Sequence, residues 1–583
     1  MTTLSKLREL LIGKSLDPLS PETRHSIVLA AFLAWIGLGA DGLSSSCYGP
    51  EEAFLALGGH THLGLYLALA TAFTVFIIAL GYNQVIELFP SGGGGYKVAS
   101  HLLGERAGLV SGAALIVDYV LTISISVASG ADALFSLLPT SLHTIKLTSE
   151  IGLIILLTLL NLRGMKESIK ILLPIFLGFF ISHVLLISYG VYSKAGGLAA
   201  LIPDTLSESR ALTQQLGWTV VASLFLRAYS LGGGTYTGIE AVSNNINKLA
   251  EPRVNTGKVT MFYMALSLAF TAGGIIVLYL LWQAKHVDGQ TLNAVAFQSI
   301  IATLGMPKWM NSSALALTLA LEAGLLLVAA NTGFLGGPSV MANMAADSWV
   351  PRQFRQLSSR LVTQNGILLM GVSSLVILIW SKGDVSLLVV LYSINVFLTF
   401  SLSLLGLCVH WWRERRSIRI WKRKLALSLL GLSVTGSILV MTLVEKFSEG
   451  GWVTVLITSL VIGLCLLVRK HYDETKAKLS KAEKLFGQSV KTEPGLPQKL
   501  DPSLPTAIFL VDEHRGVGIH TILWVQRLFP GHFKNFVFIS AGEVDTQSYD
   551  SDATIRTMRY KTENALCYYA SYCNSHNLQA TWC

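Results

Sequence analysis

WIGLGADGLSSSCYGPEE, residues 35–52, places one carboxylate and a breakable backbone inside what otherwise reads as the first membrane span. Asp41 lies near the middle of an apolar run that begins at about Ile27. A charged side chain at bilayer depth costs about 2.5–3.5 kcal/mol on insertion scales, so an Asp kept there faces a polar cavity or a bound cation. Gly37, Gly39, Gly42, three serines and Gly49-Pro50 surround it. That composition interrupts a helix and frees carbonyls and hydroxyls that hydrocarbon cannot satisfy. Secondary transporters build their sites on spans broken in this way.

The rest of the chain is consistent with a membrane setting. Of 583 residues, 52% are hydrophobic and 14% charged, with a mean hydropathy of +0.55. These values lie far from a soluble average and indicate an all-α polytopic membrane protein whose first partner is the lipid bilayer. Residues 1–24 are polar and charged, so no cleavable signal is expected and the first span directs insertion. The net charge of +9 sits mostly in short connections, which reads as topology and not as a nucleic-acid surface. Cysteines at 47, 408, 465, 567, 573 and 583 form no C-x-x-C pair, and no metal cluster, disulfide frame or cofactor is expected.

Taking about 20 apolar residues per crossing, twelve spans are predicted at 27–58 (broken), 63–88, 107–138, 150–162, 169–192, 218–248 (broken), 259–283, 313–338, 365–381, 385–412, 425–445 and 452–468. Basic residues collect in alternate connections. Lys6, Arg8, Lys14 and Arg24 are followed by Lys97, Arg106, Arg163, Lys166, Lys170, Lys248, Arg253, Lys258, Arg352, Arg355, Arg360 and the run from Arg413 to Lys424. The bias places both termini in the cytoplasm.

A second interruption falls in the sixth span, RAYSLGGGTYTGIEAVSNN, residues 227–245. Gly232, Gly233 and Gly234 remove side chains from mid-span, and Glu240 follows. Two acidic, glycine-broken spans five apart fit two inverted five-helix repeats with the site at their interface, and the last two spans are then an addition. The third span adds Asp118, Tyr119, Thr122 and Ser126 at spacings that put an oxygen-bearing stripe along one helix face. Gly92 to Gly95 read as a flexible turn, since no Lys-Ser or Lys-Thr follows to make a phosphate cradle. Arg227 is expected as a structural partner or a snorkelling side chain. Glu322 and Asn331 in the eighth span have no sharper reading than stabilising the bundle.

The organisation predicted is a transporter domain over 1–470, a charged cytosolic linker over 471–505 that begins as a short helix, and a small cytosolic α/β domain over 506–583. From Thr506 an apolar run, an amphipathic stretch, a second apolar run and a longer helix give a β-α-β-α pattern. Those strands are too few for a self-sufficient doubly wound domain, so the domain is expected either to pair with a second copy or to be incomplete.

FPSGGGGYKVAS, residues 89–100, resembles the glycine-rich signature after the second span of amino acid-polyamine-organocation (APC) superfamily transporters. Together with TGIEAVSNN at 237–245 and Glu251-Pro252, the resemblance covers roughly residues 20–470. Within that superfamily, Asp41 with Tyr48, the Asp118–Ser126 stripe and Thr237 with Glu240 are similar to the Kim-type potassium importers of the KUP group. The resemblance implies that potassium is held by Asp41, Tyr48, Asp118, Tyr119, Thr122, Ser126 and Thr237, and that Glu240 carries or gates a proton. It also implies a bacterial inner-membrane location and a homodimer made through the cytosolic C-terminal domain.

The residues themselves keep two substrate classes open. Amino acid carriers of the superfamily use a Gly-small-Gly break whose free amides meet a substrate carboxylate. That triplet is missing here, and a carboxylate would be repelled by Asp41, whereas a monovalent cation finds charge and oxygen ligands. Secondary active import of potassium, coupled to protons, is therefore the leading expectation, and a proton-coupled amino acid or polyamine permease is the alternative. No nucleophile-base pair or metal cluster suggests an enzyme.

Overall fold

The computed structural model describes residues 14, 29–90, 92–164, 169–486, 500–512, 514–542, 545–546 and 552–582. Lys6, Arg8, Arg24 and Lys166, used above for topology, lie outside the described residues. The chain forms two compact units, one running to Met344 and resuming over Gln364–Gly463, the other made of Ala345–Thr363 with Leu464–Cys583.

The first unit is helical. In order it contains α1 (Ala31–Ser44), α2 (Gly49–Leu55), α3 (Gly64–Leu88), α4 (Gly94–Leu103), α5 (Glu105–Phe135), α6 (Lys146–Leu162), α7 (Ile169–Ser193), α8 (Ala195–Leu216), α9 (Trp218–Leu231), α10 (Ala241–Asn244), α11 (Arg253–Leu281), α12 (Leu292–Ala302), α13 (Lys308–Ala346), α14 (Gln364–Ser381), α15 (Val385–Arg413) and α16 (Trp421–Lys446). A helix α17 (Trp452–Phe486) continues into the second unit. Among the described residues, nine helical segments are long and apolar enough to cross a membrane. Counted in that set, α16 and α17 form one run, kinked at Phe447–Gly451, where Gly450 takes a positive φ of 118°.

The axis of this unit is α5. Every residue from Ser111 to Ala131 is buried, including Asp118, Thr122 and Ser126, so its polar stripe is enclosed by neighbouring helices and not by lipid. On one side α15 and α4 pack against it, on another α14 and α6. Small residues permit the close approach. A Cβ on Gly333 would fall 2.9 Å from the Tyr119 carbonyl oxygen, and one on Gly336 would fall 2.4 Å from the Tyr119 ring. The glycines of the eighth span are thus contact surfaces, and α13 runs unbroken through Pro338 from Lys308 to Ala346, well beyond the 313–338 predicted for it. Three further helices, α4, α8 and α12, fall where the sequence pattern predicted connections.

In the second unit, β1 (Thr506–Leu510), α18 (Arg515–Leu528), β2 (Asn535–Ile539), α19 (Asp552–Ser575) and β3 (Gln579–Trp582) form a three-stranded parallel sheet of order β1-β2-β3. Ala507, Phe536 and Ala580 are in register across it. Parallel neighbours require crossover connections, which α18 and α19 supply. Ala507, Phe509, Phe536 and Phe538 pack against Tyr568, Tyr569 and Cys573 in a single core. Only the first two strands were predicted; β3 is too short to stand out after the long α19. The predicted linker is helical to Phe486 because α17 extends without interruption past its apolar part.

Candidate functional site

The first break lies at Ser45–Tyr48, between α1 and α2. The three serines cause it in part: Ser44 donates to the Asp41 carbonyl at 2.7 Å, Ser45 to the Gly42 carbonyl at 2.6 Å and Ser46 to the Leu43 carbonyl at 2.7 Å. Such side-chain bonds compete with the helical ladder. Ser45 is also 2.6 Å from the Thr235 carbonyl, across in the other broken span. Pro50 then starts α2, with Glu51 and Glu52 in its first turn, a favourable place for acidic residues.

One of the predicted break positions needs correction. Gly42 is inside α1, which ends at Ser44, so its small size serves packing, with Gly238 close by. The triplet does mark the second break: α9 ends at Leu231, Gly232 to Gly234 open the tight 3-10 turn that follows, and Gly238 comes next in a left-handed conformation, φ +79°. Gly49 does mark a break by close approach: a Cβ there would fall 2.2 Å from Thr235 Oγ1.

The breaks meet the α5 stripe. Asp41, Tyr48, Asp118, Tyr119, Thr122, Ser126, Thr237 and Glu240 are all buried. Tyr48 Oη and Thr237 Oγ1 are 3.5 Å apart, and Thr237 donates to the Gly234 carbonyl at 2.9 Å. The Thr122 hydroxyl donates to the Asp118 carbonyl at 3.0 Å and lies 3.1 Å from the Tyr392 hydroxyl. The carboxylates of Asp41, Asp118 and Glu240 lie near enough to one another to interact electrostatically. Asp118 Oδ1 and Glu240 Oε2 are buried without a hydrogen-bond partner. Arg227 does not neutralise them, since its guanidinium is 3.4 Å from Glu449.

Three buried carboxylates, two of them with an orphaned oxygen, have no ion pair among the described residues, so any charge they carry is left uncompensated by the protein. At about 4 Å, two like charges repel by about 4 kcal/mol at an effective dielectric of 20. A cation entering such a cluster would offset this charge, and hydroxyl and phenol oxygens lie beside the carboxylates.

Several members escaped the sequence reading. Tyr392 reaches Thr122 from α15, the Thr332 hydroxyl lies beside Asp41, and Asn244 donates to the Tyr119 hydroxyl at 3.0 Å. A signal existed for Tyr392: Tyr392, Asn395, Thr399 and Ser403 recur at helical spacing along an apolar span, and all are buried. Thr332 and Asn244 carry no such pattern.

Known proteins resemble this chain over most of its length. The family model described as amino acid permease matches residues 31–472. The potassium transporter KimA of Bacillus subtilis (strain 168) is 30% identical over 484 residues, covering 82% of this chain and 76% of that protein. A crystal structure of the manganese transporter of Eremococcus coleocola aligns with 78% of this chain and all of its own, at 13% identity and a TM-score of 0.44. With a family model over most of its length and a relative at this identity, the chain belongs to the amino acid permease family of the APC superfamily, as a membrane transporter and not an enzyme.

Proposed function

We propose that the protein imports potassium across the bacterial plasma membrane as a secondary active transporter, with Asp41, Tyr48, Asp118, Tyr119, Thr122, Ser126 and Thr237 holding the ion. The observation that carries this is the buried meeting of Asp41, Asp118 and Glu240 without a basic partner among the described residues. A zwitterionic amino acid would bring a carboxylate into that field. The 30% identity to a potassium transporter over most of both chains supports the same substrate.

Glu240 is the proton-coupling residue in this proposal. It caps the short α10 at the lower edge of the second break, with Oε2 buried and unpartnered. An inward cation gains about 2.3 kcal/mol per 100 mV of inside-negative potential, and a coupled proton adds a similar electrical contribution. The transported species are then a potassium ion and a proton, with no cofactor. Twelve crossings, both termini in the cytoplasm and two inverted five-helix repeats complete the arrangement. It is supported by broken spans that meet through Gly49–Thr235 and Gly42–Gly238.

A homodimer through the C-terminal domain belongs to the same proposal. Its support is apolar surface left on the edge strand, where Ile508 and Leu510 are 66% and 85% exposed, on a sheet of only three strands.

The test is growth of a strain lacking its own potassium uptake systems on micromolar potassium, with and without this gene. Rescue is expected. No rescue, together with uptake of a labelled amino acid or polyamine into vesicles, overturns the assignment.

A further inference from the structure

Away from the Asp41–Glu240 cluster, a second polar knot forms where the first broken span meets α11, α12 and α13. Glu322 of α13 is 1% exposed. Its Oε1 accepts a hydrogen bond from Asn293 Nδ2 at 2.5 Å. The Asn293 side-chain carbonyl accepts from the Tyr279 hydroxyl, and its amide also points at the Cys47 carbonyl, 3.4 Å away. The Cys47 thiol lies beside the Glu322 carboxylate. In the first turn of α2, Glu51 Oε1 accepts the Leu292 backbone amide at 2.9 Å. These bonds fasten the N-terminal end of α12 to the first span and to α13.

The knot leaves one atom unaccounted for. Glu322 Oε2 is buried and has no hydrogen-bond partner. The groups facing it are Cys47 and Glu51 from the first span and Tyr279 from α11, with Glu52 and Asp132 farther out around Glu51. His183 of α7 packs one turn along the same face of α12, its ring 5.2 Å from Phe297. Among the described residues no cation pairs with Glu322. A bare carboxylate in that position is an uncompensated buried charge, which costs several kcal/mol.

We infer that Glu322 is a proton-binding site, separate from the Asp41–Glu240 cluster, whose occupancy controls how α12 is held to the first span. Proton uptake converts the carboxylate to a neutral acid, with the proton on Oε2 and Oε1 still accepting from Asn293. Release restores a charge that the knot cannot neutralise, and the tie to α12 and to Cys47 must rearrange. Because Cys47 sits six residues beyond Asp41 in the same broken span, this rearrangement reaches the turn that carries the cation ligands.

The first measurement is the infrared difference spectrum of the purified full-length protein in lipid, for the wild type, Glu322→Gln and Asn293→Ala. At neutral pH the wild type is expected to show a protonated-carboxylic-acid carbonyl band that Glu322→Gln lacks and that Asn293→Ala shifts, because the acid loses its amide donor. Identical carboxylic-acid bands in all three overturn the inference, as does a band that appears only when potassium is withdrawn, which would make the metal ion the occupant. If Glu322→Gln does not fold, the Asn293→Ala shift alone decides.

The second measurement rests on the potassium reading. In proteoliposomes, the wild-type KM for external potassium is expected to rise with external pH, and the rise is expected to be shallower in Glu322→Gln, which keeps Glu240, by up to about tenfold per unit for the one linked proton removed. Equal pH dependence in both overturns the site. A wild type that takes up no potassium at all overturns the functional reading and leaves the infrared result standing.

Discussion

Gly238 rests on the backbone of Gly42: a Cβ on Gly238 would fall 2.4 Å from the Gly42 amide nitrogen. Its φ of +79° is one that side chains rarely adopt. The two broken spans therefore touch main chain to main chain, and this contact sets the distance between Asp41 and Glu240, which flank it.

Replacing Gly238 by Ala should separate the breaks. Uptake is expected to fall at least about tenfold, because strain of about 1–3 kcal/mol is released by moving ligands apart. Gly37→Ala is the matched control, since its Cβ would meet only Leu29 at 4.0 Å. Equal uptake in the two variants at equal membrane abundance would show that the contact does not position the site.

Asp118 offers an oxygen with no protein partner. Losing a charged ligand costs about 1.5–3 kcal/mol, so Asp118→Asn should raise KM for potassium about ten- to a hundredfold. The check is rubidium uptake as a function of external concentration, with an unchanged KM counting against a ligand role.

Tyr392 brings a hydroxyl from α15 to within 3.1 Å of Thr122. Tyr392→Phe deletes the hydroxyl beside Thr122 while keeping the ring, and should cost about 0.5–1.5 kcal/mol. Affinity for potassium is expected to weaken a few-fold with thermal stability almost unchanged, measured on the same purified sample.

Glu240→Gln keeps the shape of the side chain and removes its proton exchange. Wild-type vesicles are expected to accumulate potassium faster under an inward proton gradient than without one. In the variant the two rates should coincide, and a persisting difference would assign coupling to another group.

Burial in the C-terminal core pushes the Cys573 thiol up from its ordinary value of 9.0 to about 12. The protonated form is thus favoured by folding, a contribution complete below pH 9.0 and lost as pH rises toward 12. Native protein is expected to leave Cys573 unalkylated at mildly alkaline pH, with labelling appearing on unfolding, as read by peptide mass spectrometry. Rapid labelling of the native protein would contradict the packed core.

The legible part of the site was its charge. Asp41, Asp118 and Glu240 stood out because a carboxylate in an apolar span is costly at any tertiary arrangement, and the serines and glycines beside Asp41 announced a break for local reasons. Tyr392, Thr332 and Asn244 were not legible in the same way, since a hydroxyl or amide in a span often bonds only its own backbone.

By itself, then, the sequence determined the membrane setting, the two broken spans and the sign of the charge they hold, because hydropathy, helix breaking and desolvation act on short stretches of chain. Only the tertiary structure decided that Gly238 of the second break lies against the Gly42 backbone, that Gly333 and Gly336 of α13 are seats for Tyr119, and that Glu322 meets Asn293 and Cys47. Those outcomes depend on which residues far apart in the chain come within a few ångströms of each other, and close packing, not local propensity, fixes that.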